Sequence, residues 1–361
     1  MQRVTWPRGL GGRTFINRRA LQAALGMLWL LDAGLQLQPE MLSRRFSAEV
    51  LGANTMGPPN VLTDLIHTVA LRVAAHPMAW DIAFAVVQAL IGATLMSRRF
   101  GNAALAASAA WGVMVWVVGE GLGGLLIPQA SILTGAPGSA LLYSGVSLML
   151  LPRNNEAPAP SATSVPSGSA VPSASAVADA GLLGKRGSRI AWALAWIGPS
   201  LLELERANYA PRAISAQISA AASGEPWPVA RMDHFLTTVT MGNGTPIAFF
   251  VLILGLLTGI WGLRQSTTRA GLLLGIALAS IYWVAGQNFG AVFTGSSTDL
   301  NTGPAFILIA LCLWPRALGA AGTTGGAAGA GGAGSSPAHR IAQGERPISN
   351  ADLAATSLRS H

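Results

Sequence analysis

The chain is short of charge and of sulfur chemistry. Charged residues make up 11% of its 361 residues, where a soluble globular domain carries roughly 25%. There is one cysteine, Cys312, which excludes a disulfide scaffold. Disorder of the whole chain is excluded as well, because disorder requires low hydrophobicity with high charge. What is abundant is apolar: 51% hydrophobic residues, with 43 Gly, 21 Pro and 11 Trp. That balance predicts an all-α polytopic membrane bundle rather than a soluble enzyme.

A helix that crosses a bilayer needs about 20 mostly apolar residues, because each residue rises 1.5 Å through a core about 30 Å thick. Eight stretches are read as spans: 20–38, 79–97, 101–119, 137–152, 188–205, 245–263, 269–286 and 303–318. Cytoplasmic segments hold the excess of Lys and Arg. With the N-terminus inside, the inner side carries 17 of the 23 basic residues, among them Arg18, Arg19, Arg98, Arg99, Arg153, Lys185, Arg264 and Arg316. The outer side keeps Arg44, Arg45, Arg72, Arg206, Arg212 and Arg231. Acidic residues divide the other way, 4 inside and 11 outside. The formal net charge of +8 therefore follows the topology rule and predicts a lipid bilayer, not nucleic acid, as the partner. The expected location is the plasma (inner) membrane, with both termini cytoplasmic. Arg18-Arg19 before an apolar run has the look of a twin-arginine leader. Cleavage is not expected, because residues 20–38 have a counterpart deep in the chain.

That counterpart belongs to an internal repeat. At an offset of 167, Trp29 falls on Trp196, Leu35 on Leu202, Pro59 on Pro226, His67 on His234, Gly92 on Gly259, Trp116 on Trp283, Gly119 on Gly286, Gly123 on Gly290 and Pro137 on Pro304. The reading is two four-helix units, 20–152 and 188–318. An even number of spans per unit makes the repeats parallel, with an axis along the membrane normal. Residues 1–19 form a cytoplasmic N-terminal segment. Residues 153–187, rich in Pro, Ser and Ala, read as a disordered cytoplasmic linker, and 319–361 as a disordered cytoplasmic tail. Each unit carries a long outer loop after its first span. Apolar positions 61, 62, 65, 66, 69 and 73 predict an interfacial helix over 61–76, and 229–240 reads as its weaker copy.

A four-span unit with a long outer loop after span one, a Gly-containing second span (Gly92) and a short turn after it, Ser97-Arg98-Arg99-Phe100, resembles the DoxX-like membrane family. The resemblance covers most of both repeats. Trp116–Gly124 and Thr134–Pro137 also resemble an actinobacterial membrane-protein group. The DoxX-like resemblance implies a membrane subunit or accessory protein serving a quinone-linked or envelope process, in a redox or envelope protein complex. It carries over no catalytic residue and names no cofactor. The alternative is a small-solute or ion transporter using the interface between the two repeats. A third reading is an enzyme acting on a lipid-soluble substrate, for which no nucleophile or redox centre is visible.

The candidate ligand site is a matched set at the outer ends of spans. Gln36 aligns with Glu203 and Glu120 with Gln287, so each repeat keeps one carboxylate and one amide. The expectation is that Gln36 approaches Glu120 and Glu203 approaches Gln287. Such contacts either fix helix packing or line a polar pocket open to the outside. His67 beside Asp64 and His234 beside Asp233 supply too few ligands for a metal. Gln88, mid-span, is expected to bond to a neighbouring helix. The glycine-rich runs 119–124 and 286–290 lack the Walker lysine and read as tight turns or close packing.

Overall fold

The computed structural model describes residues 16–43, 59–153 and 175–315. Among them there is no strand. The elements of the first half are α1 (Arg18–Gln36), α2 (Asn60–Ala75), α3 (Pro77–Met96), α4 (Gly101–Met114, continued by a π turn over Val115–Gly119) and α5 (Ser139–Leu150). The second half has α6 (Gly184–Leu201), the short α7 (Arg206–Tyr209), α8 (Ala213–Ala221), α9 (Trp227–Thr240), α10 (Gly244–Leu263), α11 (Thr268–Ala285) and α12 (Thr302–Leu313).

Among the described residues, four helices are long and apolar enough to cross a membrane: Pro77–Met96, Gly101–Gly119, Gly244–Leu263 and Thr268–Ala285. Only 22–39% of each window is buried within the chain, and Leu90, Phe250, Ile253 and Ile281 point outward. An apolar face of that extent suits lipid, and these four helices mark a membrane protein. They coincide with the expected second, third, sixth and seventh spans. The other four expected spans are helices of a different kind. α1 carries Arg18, Arg19 and Asp32, and α6 carries Lys185, Arg186 and Arg189. α5 and α12 have 12 residues each, a rise of about 18 Å. They are the most buried helices and meet each other in the centre of the core, where Tyr143, Val146 and Met149 pack with Phe306, Ile309 and Ala310.

α1 packs along α3 and α6 along α10, while α4 pairs with α5 and α11 with α12. The first of these crossings is close because it is built on two glycines. A Cβ on Gly92 would stand 2.7 Å from the Gly26 carbonyl, and one on Gly26 would stand 2.8 Å from that of Gly92. At the matching place in the second half, Gly259 faces the carbonyl of Ala193. Such small-residue contacts let backbones approach without a water-driven hydrophobic term.

The expected linker 153–187 requires a correction over its described part. Residues 154–174 lie outside the described residues, but Val177–Ala180 form a 3₁₀ turn with Val177 and Ala178 buried in the core. The Leu182 N–H donates to the carbonyls of Leu148 and Leu151, so the chain enters α6 tied to the end of α5. The expected N-terminal segment is described only from residue 16, and the expected tail 319–361 lies outside the described residues.

Candidate functional site

Glu120 and Gln287 follow the third long helix of each half, and each turns toward the short helix that comes next. Glu120 Oε1 accepts from Ser139 Oγ at 2.7 Å and from the Ala140 N–H at 3.0 Å, capping α5. Gln287 Oε1 accepts from the Gly303 N–H at 3.2 Å while its Nε2 donates to Thr302 Oγ1 at 2.9 Å, capping α12. The first N–H groups of a helix have no partner within it, and a carboxylate or an amide oxygen satisfies them equally. Gly138, at φ +100°, leaves the room: a Cβ there would collide with Glu120 Oε2.

The expected pairing of Gln36 with Glu120 and of Glu203 with Gln287 is therefore replaced by other partners. Gln36 Nε2 donates to Asp81 Oδ1 at 2.8 Å, joining the end of α1 to the start of α3. Glu203 accepts from Ser131 Oγ at 2.5 Å. Ser131 belongs to the loop 120–138 of the first half, so that loop reaches across into the second. Asn208 holds it there, donating from Nδ2 to the Ala130 carbonyl at 2.6 Å. The reciprocal loop of the second half reaches back, setting Thr298 and Asp299 among first-half residues and Leu300 beside Asp32.

That returning loop closes one end of a cavity of about 720 Å³ in the first half. Its apolar wall is Trp29, Trp80, Phe84, Val87, Trp111 and Val118, drawn from α1, α3, α4 and the π turn. The rings touch in series, Trp80–Phe84 at 5.9 Å and Phe84–Trp111 at 6.2 Å between centroids. The polar end is Asp32, Gln36, Glu120, Ser139, Tyr143 and Asp299. Arg72 of α2 is the one basic residue in the lining, and it is exposed. Four buried atoms without a hydrogen-bond partner lie here: Asp32 Oδ1, Gln88 Oε1, Trp111 Nε1 and Glu120 Oε2. A buried polar atom left so costs about 1–3 kcal/mol, and several in one cavity mark a place prepared for something else. Its volume is within the roughly 300–1,000 Å³ of small-molecule sites.

Of the expected site residues, Gln36 and Glu120 line this cavity, while Glu203 and Gln287 serve packing and capping in the second half. Gln88 lines the cavity with its carbonyl oxygen free, instead of bonding to a neighbouring helix. Asp81, Tyr143 and Asp299 were not singled out by spacing. Tyr143 is one of only 3 tyrosines and Asp81 is the single acid within the expected second span, which is the signal each offered. Asp299 comes from the far half of the chain and gives no local signal. The glycine-rich runs form tight turns, with positive φ at Gly121, Leu122, Gly123 and Gly124, and at Asn288, Phe289, Gly290 and Ala291.

His67 and His234 are exposed, and among the described residues no group of three or more His, Cys, Asp or Glu side chains is placed to hold a metal. Asp233 is buried and accepts from Asn288 Nδ2 at 2.8 Å. Burial pushes its carboxyl above the ordinary range, and the Asn288 amide pulls it part of the way back. No family model, no curated protein and no solved structure matches the chain.

Proposed function

We propose that the chain is an eight-span plasma-membrane protein of two parallel four-helix repeats, whose first repeat binds a small amphiphilic molecule while the second serves as its scaffold. On this reading it is a DoxX-like accessory subunit, both termini are cytoplasmic, and the loops 120–138 and 286–301 face outward. The repeat is supported by backbone geometry that composition alone would not produce. Four consecutive left-handed residues occur at 121–124 and again at 288–291, 167 positions on, and three of the second four are not glycine. L-residues rarely follow one another in that region. α3 opens at Pro77 and α10 at Gly244, the same interval. The interval shrinks to 163 at the last helix, from Ser139 to Thr302, so the Pro137–Pro304 match joins places with different roles: Pro137 precedes α5 and Pro304 lies in the first turn of α12.

The observation that carries the binding role is the cavity itself, an aromatic wall ending in unpartnered polar atoms. One of those atoms, Trp111 Nε1, is a donor, and it favours a quinone-linked role as the second reading because a quinone carbonyl accepts hydrogen bonds. A transport path between the repeats has less support, since α5 and α12 meet there in closed core. The test is equilibrium binding of decanol and of decylubiquinone to the full chain in phosphatidylcholine nanodiscs. Both probes should lose at least tenfold in affinity in Val87→Trp, which fills the apolar wall. Unchanged binding in that variant would refute the cavity as the site.

A further inference from the structure

We infer that the cavity takes an amphiphile with a primary ammonium head, held by Asp32, Glu120 and Asp299 and entering through the loop face; this rests on the binding role proposed above. Three carboxyl groups converge on one end of an otherwise apolar space, close enough to act on one another electrostatically. No basic side chain stands among them, since Arg72 lies on α2 at the exposed rim. An anionic head would add to like charge, whereas a cationic head lets buried carboxyls this close together stay ionised instead of relieving their repulsion by taking up protons.

The unpartnered atoms sharpen the class. Asp32, 2% exposed, and Gln88, 7% exposed, both line the cavity and each has an oxygen with no partner, as does Glu120. These are acceptors. A primary ammonium brings three donors, whereas a quaternary ammonium brings none. The aromatic wall suits the alkyl chain, and Trp29, one turn before Asp32 on α1, stands edge-on to Tyr143 at 5.1 Å. Asp299 keeps its own place through the Asn301 N–H at 2.6 Å and Thr298 Oγ1 at 2.9 Å, so it presents charge from a braced loop.

There is also a way in. A second, smaller cavity of about 240 Å³ adjoins the first, walled by the loop positions Gly123, Ser131, Thr134 and Asn301. Glu120, Ser139 and Asp299 line both spaces. The acidic pair thus stands between a polar vestibule and the apolar cavity, where a cationic head meets it before the chain is enclosed.

The experiment is equilibrium binding of decylammonium, decyltrimethylammonium, decanol and decyl sulfate to the full chain in phosphatidylcholine nanodiscs. Decylammonium should bind at least tenfold more tightly than decanol or decyltrimethylammonium, and decyl sulfate least. Asp299→Asn and Glu120→Gln should each weaken decylammonium about tenfold and decanol much less, so that the preference for decylammonium over decanol shrinks. Glu120→Gln keeps the helix cap, as Gln287 shows at α12, so one charge variant remains folded if the other does not. Equal binding of decylammonium and decanol, with neither variant altering the ratio, would overturn the ammonium assignment and leave the binding role standing. Binding of every probe untouched by Val87→Trp would overturn both.

Discussion

Trp29 and Trp196 stand at matched positions in the two halves and meet different neighbours. Trp196 is enclosed by aromatic rings, with Phe306 at 4.6 Å, Trp192 at 5.7 Å and Tyr282 at 6.4 Å between centroids. Trp29 touches one ring, Tyr143, donates from Nε1 to Ser108 Oγ at 2.8 Å, and lines the cavity. Most side chains differ between the halves, and two of the differences bear on the space. Where the first half has Val115, the second has Tyr282, which fills its own interior. Where the first half has Gln88, the second has Gly255, and Ser200 of α6 packs directly onto it. On the proposed repeat, one half is packed solid and the other is left hollow, and the hollow half is the one whose cavity gathers carboxyl groups.

The comparison breaks most readily at the helix crossings. Gly92→Leu should destabilise the fold by about 3 kcal/mol or more, because the new side chain meets the Gly26 backbone, which has nowhere to go. Gly26→Ala copies Ala193 of the second half and should cost clearly less. Gly34→Ala, with nothing within 4 Å, should be neutral or gain about 0.5–1 kcal/mol. Thermal melts of the three variants in nanodiscs check the order.

The caps offer a finer contrast. Glu120→Ala and Gln287→Ala should each lower stability by about 1 kcal/mol, the usual loss of a helix cap. Only Glu120→Ala should also weaken binding of decylammonium. Equal effects of the two on binding would mean that the halves do not differ in role.

The smallest expected effect concerns pH. The carboxyl of Asp233 is raised by burial in the folded chain, so the folded state keeps its proton longer than the unfolded state does. Its contribution to stability is present below the ordinary carboxylate range and is lost as pH rises through the folded value. Asp233→Asn should raise the melting midpoint at pH 7.5 by about 2 °C and leave it unchanged at pH 4.

Hydropathy found what hydropathy measures. The helices 77–96, 101–119, 244–263 and 268–285 are uniform apolar runs, and each was legible to within two residues. Periodicity likewise found the helices at 60–75 and 227–240. The short central helices α5 and α12 were placed at 137–152 and 303–318 but read as full spans, whereas each has 12 residues. The site was half legible. Gln36 and Glu120 drew attention as polar residues at apolar ends, and both line the cavity. Their pairing was misjudged because a constant offset shows which positions correspond and says nothing of which ones touch. Glu120 corresponds to Gln287 through a shared task, capping. The decisive neighbours, Ser131 for Glu203 and Asp299 for Asp32, arrive on loops exchanged between halves, and no local pattern announces an exchange.

Paired substitutions at corresponding positions test the central claim, that one half binds and the other supports. Val87 and Leu254 occupy the same place on α3 and α10, 167 residues apart. The number of decylammonium molecules bound per chain should be one, should fall to none in Val87→Trp, and should remain one in Leu254→Trp. Two molecules per chain, or equal loss in both variants, would contradict the account.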